Sequence, residues 1–355
     1  MAKKPLISII VPTLGEEEAL QLLLADLSVQ EGVSFEVVIA DATKEKEADN
    51  MTTLLHPEEV PTKIVRCESG RGRQLNEGVR HARGDDLLFL HADTRLLSPT
   101  LLAGGAKAMD MARRGSKRVA GHFPLRIGAT ANSLSFYYLE AKSRLGLPQC
   151  VNGDQGQWIS REYFEEMGGM DESLPFLEDL RLSKVVSESG RWVSLPGEIV
   201  TSARRFEKEG TKARLTLNAL IRIAEDISLD GFLEKAPALY RAHPTSKELI
   251  LAPFFTLFFR ELFSGATMAN LSGLGAFASN NTWQVVSWIE CAYARRRGID
   301  SHEIELKFTK SSISFLGNLK DNFLFKILAG STVLVWMLSA WVGSLQPFGF
   351  LRNRI

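Results

Sequence analysis

The chain has 355 residues, 45% of them apolar, and 42 Lys+Arg balance 42 Asp+Glu. That length suits one large domain or two ordinary ones with a sizeable core. Zero net charge speaks against bulk nucleic-acid binding, whose footprint is a basic excess, and leaves room for a local anion site. The three cysteines, Cys67, Cys150 and Cys291, are too few and too far apart for a disulfide framework or a zinc site, and they suit a reducing compartment. The apolar run after Lys3-Lys4 stops at Pro12, so it is a strand-length segment rather than a secretory leader.

In chain order, LISIIV (6–11), FEVVIA (35–40), TKIVR (62–66) and DLLFL (86–90) read as buried strands. Helical patterns lie between them, at 16–30 and 72–82. This alternation predicts an α/β domain with a mostly parallel sheet covered by helices on both faces. Further on, 119–127 reads as a strand, 132–146 as a helix and 159–169 as a short helix that stops at glycine. The segment 177–190 is an amphipathic helix, and 191–202 returns to strand.

Composition shifts after about residue 205. LILAPFFTLFF (249–259) is strongly apolar but spans only about 16 Å as a helix, roughly half a bilayer core. It reads as an interfacial or re-entrant segment, or else as a buried core helix. The helix at 280–298 carries Trp283 and Trp288 and ends in Arg295, Arg296 and Arg297, which suits a lipid headgroup region or a solvated helix end. From Ile327 to Leu351 no residue is charged, and 327–345 can cross a membrane as one helix. Lys320 and Lys326 precede this run; Arg352 and Arg354 follow it. The expected division is 1–210 for a catalytic domain, 211–320 for a helical membrane-interfacial region, and 321–355 for a transmembrane helix and tail.

In an open parallel sheet, ligands bind beyond the carboxyl ends of the strands. The first strand leads into Pro12, Thr13 and Glu16, the second ends at Asp41, and the fourth leads into His91 and Asp93. Two acids from separate strand ends suit a nucleoside diphosphate, with Asp41 on ribose or base. Asp93 would sit on a divalent cation, Mg²⁺ or Mn²⁺, that bridges the phosphates. Each acid alone is equally a helix cap or a turn residue. GRGRQLNEG (70–78) places Arg71 and Arg73 at a helix start, where phosphate is attracted; the spacing is not that of a P-loop or a dinucleotide fingerprint.

Taken together, PTLGEEEAL, the Asp41 loop, GRGRQLNEG, LLFLHADT and FLEDLRLS stand in the order of glycosyltransferase family two, which this chain resembles over roughly residues 6–210. GRGRQLN, FLHADT, GDQG and TSARRFEKEG resemble one bacterial branch of it, the rSAM/selenodomain-associated or arsenosugar-biosynthesis glycosyltransferases. The resemblance implies a GT-A fold. Pro12, Thr13, Glu16 and Asp41 would cradle the nucleoside, with Arg71, Arg73 and His91 near the nucleotide and Asp93 as metal ligand. Asp179 would be the general base with Glu178 beside it, while Asp154, Gln155, Arg204 and Arg205 would lie near the acceptor or the sugar. Gly15 stands where the family has Asn, His91 where a first Asp is common, and 40–49 lacks the usual small turn.

A carboxylate at Asp179 can take the acceptor hydroxyl's proton, and a cation with Arg71 and Arg73 can stabilise the departing diphosphate. Displacement in one step inverts the anomeric carbon. The expected activity is therefore an inverting transfer from a nucleotide sugar, UDP-linked before GDP-linked, to an acceptor hydroxyl, lipid-linked if the apolar C-terminus brings the site to headgroups. The expected place is the cytoplasmic face of the cell membrane, with no nucleic-acid partner. A nucleotidyltransferase and a non-catalytic nucleotide-sugar-binding membrane protein are the alternatives.

Overall fold

The computed structural model describes residues 6–43, 60–128, 133–173, 176–243 and 248–345. Most of the second-strand loop (44–49) and the flanking Arg352 and Arg354 lie outside the described residues. The chain divides into two units, one of Met1–Ala131 with Leu139–Ser202, the other of Asn132–Tyr138 with Ala203–Ile355.

The first unit opens with β1 (Ile7–Thr13), α1 (Glu17–Ser28), β2 (Phe35–Asp41), β3 (Thr62–Arg66), α2 (Arg71–His81) and β4 (Asp86–Phe89). Next come β5 (Arg95–Leu96), α3 (Leu101–Arg113), β6 (Val119–His122), β7 (Leu125–Gly128) and α4 (Leu134–Ser143), whose first turns fall in the second unit. Short 3-10 turns at Pro148–Cys150 and Gly153–Gln155 lead into β8 (Gln157–Ser160) and α5 (Arg161–Glu166). The unit closes with α6 (Glu178–Ser189), β9 (Arg191–Ser194) and β10 (Ile199–Ser202).

The main sheet has the order β3-β2-β1-β4-β8-β6-β9. β3, β2, β1 and β4 are mutually parallel, β8 is antiparallel to both β4 and β6, and β6 and β9 are parallel. Ile9, Ile10, Val11, Val37, Val38, Ile39, Leu87 and Leu88 are wholly buried. Such unbroken apolar runs belong to strands covered on both faces, and each aliphatic side chain buried contributes about 1.5–3 kcal/mol. The expected α/β fold with a mostly parallel sheet is therefore observed, with β8 as the reversed strand.

Two stretches read as single strands are each two. Pro124 separates β6 from β7, and Pro196-Gly197 separates β9 from β10. Proline has no N–H to give a ladder, and Gly197 at φ +86° turns the chain. β7 and β10 then build a second, three-stranded sheet of order β5-β10-β7.

The second unit contains α7 (Arg204–Glu209), α8 (Thr211–Asp226), α9 (Asp230–Ala242), α10 (Ala252–Leu262), α11 (Thr267–Asn281), α12 (Trp283–Arg296), α13 (Lys307–Gly317) and α14 (Phe323–Leu345). α10 is a core helix: Phe254, Phe255, Phe258 and Leu262 are buried, and Phe258 meets Phe232 edge-on with ring centroids 5.2 Å apart. The interfacial reading of 249–259 gives way to the core-helix reading, because this apolar face is spent inside the protein. α14 is the opposite case. Among the described residues it is the one helix long and apolar enough to cross a membrane, and only 11% of that window is buried. It crosses α11 closely: a Cβ on Gly330 would stand 2.9 Å from the Gly275 Cα, and one on Gly275 would stand 2.9 Å from the Lys326 carbonyl oxygen.

Candidate active site

The parallel register puts Thr13, Asp41 and Arg66 in one row at the carboxyl rim of the sheet, since Thr13 pairs with Asp41 and Asp41 with Arg66. Asp41 is fully buried. Its carboxylate accepts from the Thr43 backbone N–H at 2.9 Å and from the Thr43 hydroxyl, and it pairs with Arg66. Thr43 in turn accepts the Gly15 N–H at 3.0 Å. Gly15 sits at φ +70°, a left-handed conformation that glycine and asparagine share, which explains glycine in place of the family's Asn. Gln74 of α2 donates to the carbonyls of Thr13 and Ala40, both at 2.9 Å, and so ties the helix to these strand ends. Pro12 is buried in β1, and the half-buried Glu16 precedes α1, its carbonyl accepting from Leu20 at 3.0 Å. Thr13 leaves its buried hydroxyl without a partner. Arg66, absent from the sequence expectations, could have been found by lining up strand ends.

β8 supplies the second half of the rim. Because β8 runs antiparallel, its first residue, Gln157, stands opposite Phe89, the last residue of β4. The loop before β8 therefore meets the loop after β4. Gly153 marks the junction: a Cβ there would lie 3.0 Å from His91 Nε2 and 3.1 Å from Asp179 Oδ2. Its own N–H donates to Asp179 Oδ2 at 2.7 Å. Gln157 donates to the Asp179 carbonyl and the Ser183 hydroxyl, both at 3.2 Å, and fixes the start of α6. Asp154 is electrostatically coupled to Asp179 and to Asp93, in the turn after β4. Burial first, then these two charges, push its carboxyl up to about 7. Its Oδ1 is sealed from solvent and unpartnered, although the residue as a whole is half-buried.

α2 and α6 meet at their first turns. A Cβ on Gly72 would stand 2.4 Å from the Asp171 carbonyl oxygen and 3.4 Å from Glu178 Cβ, so only glycine fits between the two arginines. Arg71 Nε lies 3.6 Å from Glu178 Oε1. Glu178 is buried, and burial followed by the Asp179 charge pushes its carboxyl up to about 7, with Arg71 pulling it down. Arg73 does not share this position; it pairs with Glu68 and, at 3.6 Å, with Glu172. Arg204 and Arg205 are exposed on the first turn of α7 in the second unit. The structure thus brings His91, Asp93, Gly153, Asp154 and Asp179 together beyond β4, with Glu178 and Arg71 adjoining through α6.

Among the described residues no three His, Cys, Asp or Glu side chains form a ready cage for a metal ion. A cation that bridges a diphosphate needs only one or two protein carboxylates. Asp93 fits that use, because the crowding that raises Asp154 is an excess of negative charge that a cation would offset.

A mostly parallel sheet with one reversed strand, β8 beside β4, and acids beyond its carboxyl rim is the architecture of a GT-A domain. Residues 8–167 match the model of glycosyl transferase family 2. Over 101 residues it is 34% identical to an uncharacterized protein of Mycobacterium tuberculosis (strain CDC 1551 / Oshkosh), a match covering 28% of this chain and 31% of the relative. The chain thus spans under a third of the length of that curated relative. Among solved structures it is similar to the mannosyltransferase PcManGT from Pyrobaculum calidifontis in complex with GDP-Man and Mn²⁺, at TM-score 0.47 and 16% identity over 98% of this chain and 89% of that one. It is also similar to S. aureus TarS, at TM-score 0.44 and 14% identity over 90% and 54% of the two chains. A TarS 1–349 complex with UDP-GlcNAc gives TM-score 0.44 and 14% identity over 82% and 92%. Likenesses at these TM-scores carry no further conclusion.

Proposed function

We propose that this chain is an inverting glycosyltransferase that moves a sugar from a nucleotide sugar to an acceptor hydroxyl, with Asp179 as general base. The observation that carries the reading is the meeting of His91, Asp93, Asp154 and Asp179 beyond the carboxyl end of β4. In this reading the Gly153 N–H holds one oxygen of Asp179 and the Leu180 N–H the other, at 2.9 Å, which orients the carboxylate to take a proton on a remaining lone pair. Arg71, drawn to the donor's diphosphate, supplies positive charge there. Asp93 would hold a Mg²⁺ or Mn²⁺ ion, whose chemistry is to neutralise charge on the departing diphosphate. Pro12, Thr13, Glu16, Asp41 and His91 would line the nucleoside side, with Arg73 at the edge of the nucleotide loop. Arg204 and Arg205 stay proposed for the acceptor. UDP before GDP, and the rSAM/selenodomain-associated branch, rest on the sequence resemblance alone.

The proposed arrangement is a catalytic domain at 1–210, a helical membrane-interfacial region at 211–320 and a membrane helix with its tail at 321–355, on the cytoplasmic face with an acceptor that is lipid-linked. Two features support membrane placement. α14 exposes Leu324, Leu328, Val335 and Val342, and its 19 uncharged residues from Ile327 to Leu345 span about 28 Å. The Gly275–Gly330 approach is the small-residue crossing that membrane helices use.

The deciding experiment screens UDP- and GDP-sugars for released nucleoside diphosphate, with and without Mn²⁺, on purified full-length protein in detergent with lipid. Asp179→Asn should cut turnover at least 100-fold while donor binding stays within a few-fold. Pyrophosphate release from an NTP would point to a nucleotidyltransferase, and unchanged turnover in Asp179→Asn would remove it from the base role.

A further inference from the structure

In the second unit, α8, α9 and α10 turn their apolar faces inward, with Leu217, Leu220, Phe232, Leu233, Phe255 and Phe258 buried. α12 buries one side and exposes another that is also apolar. Trp283, Ser287, Cys291 and Ala294 form the buried side. Val285, Ile289 and Tyr293, spaced four apart on another face, are 62–64% exposed. A helix with an outward apolar face suits a surrounding other than water. Arg295, Arg296 and Arg297 follow at once, all exposed, with the Arg297 guanidinium 6.0 Å from the centre of the Tyr293 ring. α13 continues the face: Phe308 and Phe315, two turns apart, are 73% and 66% exposed, and Lys310 is exposed beside them. Glu290 joins the two helices. Its carboxylate accepts the Phe308 N–H at 3.0 Å, the Thr309 N–H at 2.8 Å and the Thr309 hydroxyl at 2.7 Å. The acid between Ile289 and Tyr293 is thus used at a helix N-terminus instead of opposing an apolar surrounding, and it holds the exposed start of α13 against α12.

Chain continuity identifies what covers this face. α13 ends at Gly317 and α14 starts at Phe323, a gap that spans at most about 20 Å. The Ser279 hydroxyl donates to the Lys320 carbonyl at 3.1 Å, just before α14, and α12 starts at Trp283, one turn after Ser279. Both helices are therefore tied to the start of α14, the level at which a membrane helix meets headgroups. Aromatic and basic side chains gather at that level. The loop between α12 and α13 answers two of its own acids, since Asp300 bonds His302 at 2.9 Å and Glu305 pairs with Lys307 at 2.8 Å, while Glu303 is exposed. We propose that α12 and α13 make a second membrane contact: they lie in the headgroup layer of a phospholipid bilayer, with Ile289, Tyr293, Phe308 and Phe315 inserted and Arg295, Arg296 and Arg297 on the phosphates. This inference rests on the membrane placement of α14 proposed above and narrows the interfacial region to these two helices.

The test uses full-length protein in vesicles of phosphatidylcholine and phosphatidylglycerol, with Cys67→Ser so that the buried Cys150 and Cys291 are the native cysteines left. A polarity-sensitive fluorophore is attached to one new cysteine at a time: Ile289→Cys, Phe308→Cys, Val335→Cys on α14, and the exposed Met111→Cys on α3 as the water reference. Nitroxide lipids that quench at known depths then locate each label. The labels at positions 289 and 308 should sit about 5–10 Å into the headgroup–acyl boundary. The label at position 335 should be quenched within the bilayer, and the one at position 111 should not be quenched. Ile289→Glu together with Phe315→Glu should return the label at position 308 to water at an unchanged melting temperature. Arg295→Gln, Arg296→Gln and Arg297→Gln together should lower the quenching at positions 289 and 308; no change overturns the role given to the arginines. Labels at 289 and 308 in water, with 335 in lipid, overturn the inference and leave the membrane helix standing. Shielding at 289 and 308 that escapes the nitroxide lipids and grows with the protein-to-lipid ratio means that a second copy covers the face, and overturns it too. If the label at 335 is also in water, the membrane placement falls and takes this inference with it.

Discussion

Glu178 offers a quantitative handle on the site. It opens α6 at 2% exposure, and its carboxyl is pushed up to about 7 by burial and by the neighbouring Asp179 charge, against the pull of Arg71 at 3.6 Å. Its ordinary value, and hence its value in the unfolded chain, is 4.5. The folded protein thus binds this proton more tightly than the unfolded one. Stability from this residue is fully present below about pH 4.5, falls as pH rises through the window to about 7, and is flat above it. Each tenfold difference in proton affinity is about 1.4 kcal/mol, so the whole window corresponds to about 3 kcal/mol. Glu178→Gln keeps the shape and carries no charge at any pH. The variant should match the wild type near pH 4.5 and melt higher at pH 8, by about 6–12 °C for a unit of this size. Scanning calorimetry on both proteins at pH 5, 6, 7 and 8 reads the difference on the first unit's transition. Parallel melting curves across that range would refute the assignment of a strained, buried carboxyl. A gain in stability together with a loss of turnover is the pattern expected where function holds a residue in an unfavourable place.

Two structural substitutions follow from the packing. Gly72→Ala gains about 1 kcal/mol of helix propensity but drives a methyl into the Asp171 carbonyl at 2.4 Å, an overpacking worth about 1–3 kcal/mol. The first unit should melt lower by a few degrees, and a variant that melts higher would contradict this contact. Arg113→Met leaves Asp86, which is buried and also bonded by Trp158 at 2.9 Å, without its cation at 2.7 Å. The expected loss is about 3–5 kcal/mol at pH 8, smaller in acid because burial already holds the Asp86 carboxyl above its usual range. Calorimetry should show Asp86→Leu combined with Arg113→Met recovering part of that loss, short by about 1–3 kcal/mol for the Trp158 N–H left without its acceptor; no recovery would mean the arginine acts through packing instead.

Some of this was legible in the sequence because each feature is local. The apolar runs at 6–11, 35–40 and 86–90 carry their own burial on both faces, and β1, β2 and β4 form as read. Glu178 and Asp179 announce a helix start, and α6 begins there. The run at 249–259 was ambiguous for a physical reason. Phenylalanines at 254, 255, 258 and 259 make a wide apolar face, and neither core nor lipid leaves a separate mark on it. What decides is whether neighbours cover it, and Phe232 and its surroundings do. Arg73 illustrates a different gap. Both arginines flank Gly72 identically in sequence, yet helix positions two apart point to different faces, so one reaches Glu178 while the other reaches Glu68 and Glu172.

The least legible feature is also the one on which the site depends most. The sequence reads 159–169 as a short helix, but Ile159 and Ser160 close β8 and the helix begins only at Arg161; nor do a strand's own residues say which way it runs. Had β8 lain parallel to β4, its first residue would sit at the opposite rim, about 13 Å away for a four-residue strand. NGDQG would then have been a remote turn, and Asp154 a solvated acid. Running antiparallel, Gln157 faces Phe89 and delivers Gly153 between His91 and Asp179. The hydrogen bond from the Gly153 N–H to Asp179, the crowding of Asp154 by Asp93, and the absence of any side chain at 153 all follow from that single reversal. Strand direction, seen in the pairing of β8 with β4, is what turns acids scattered over almost 90 positions of sequence into one chemical site.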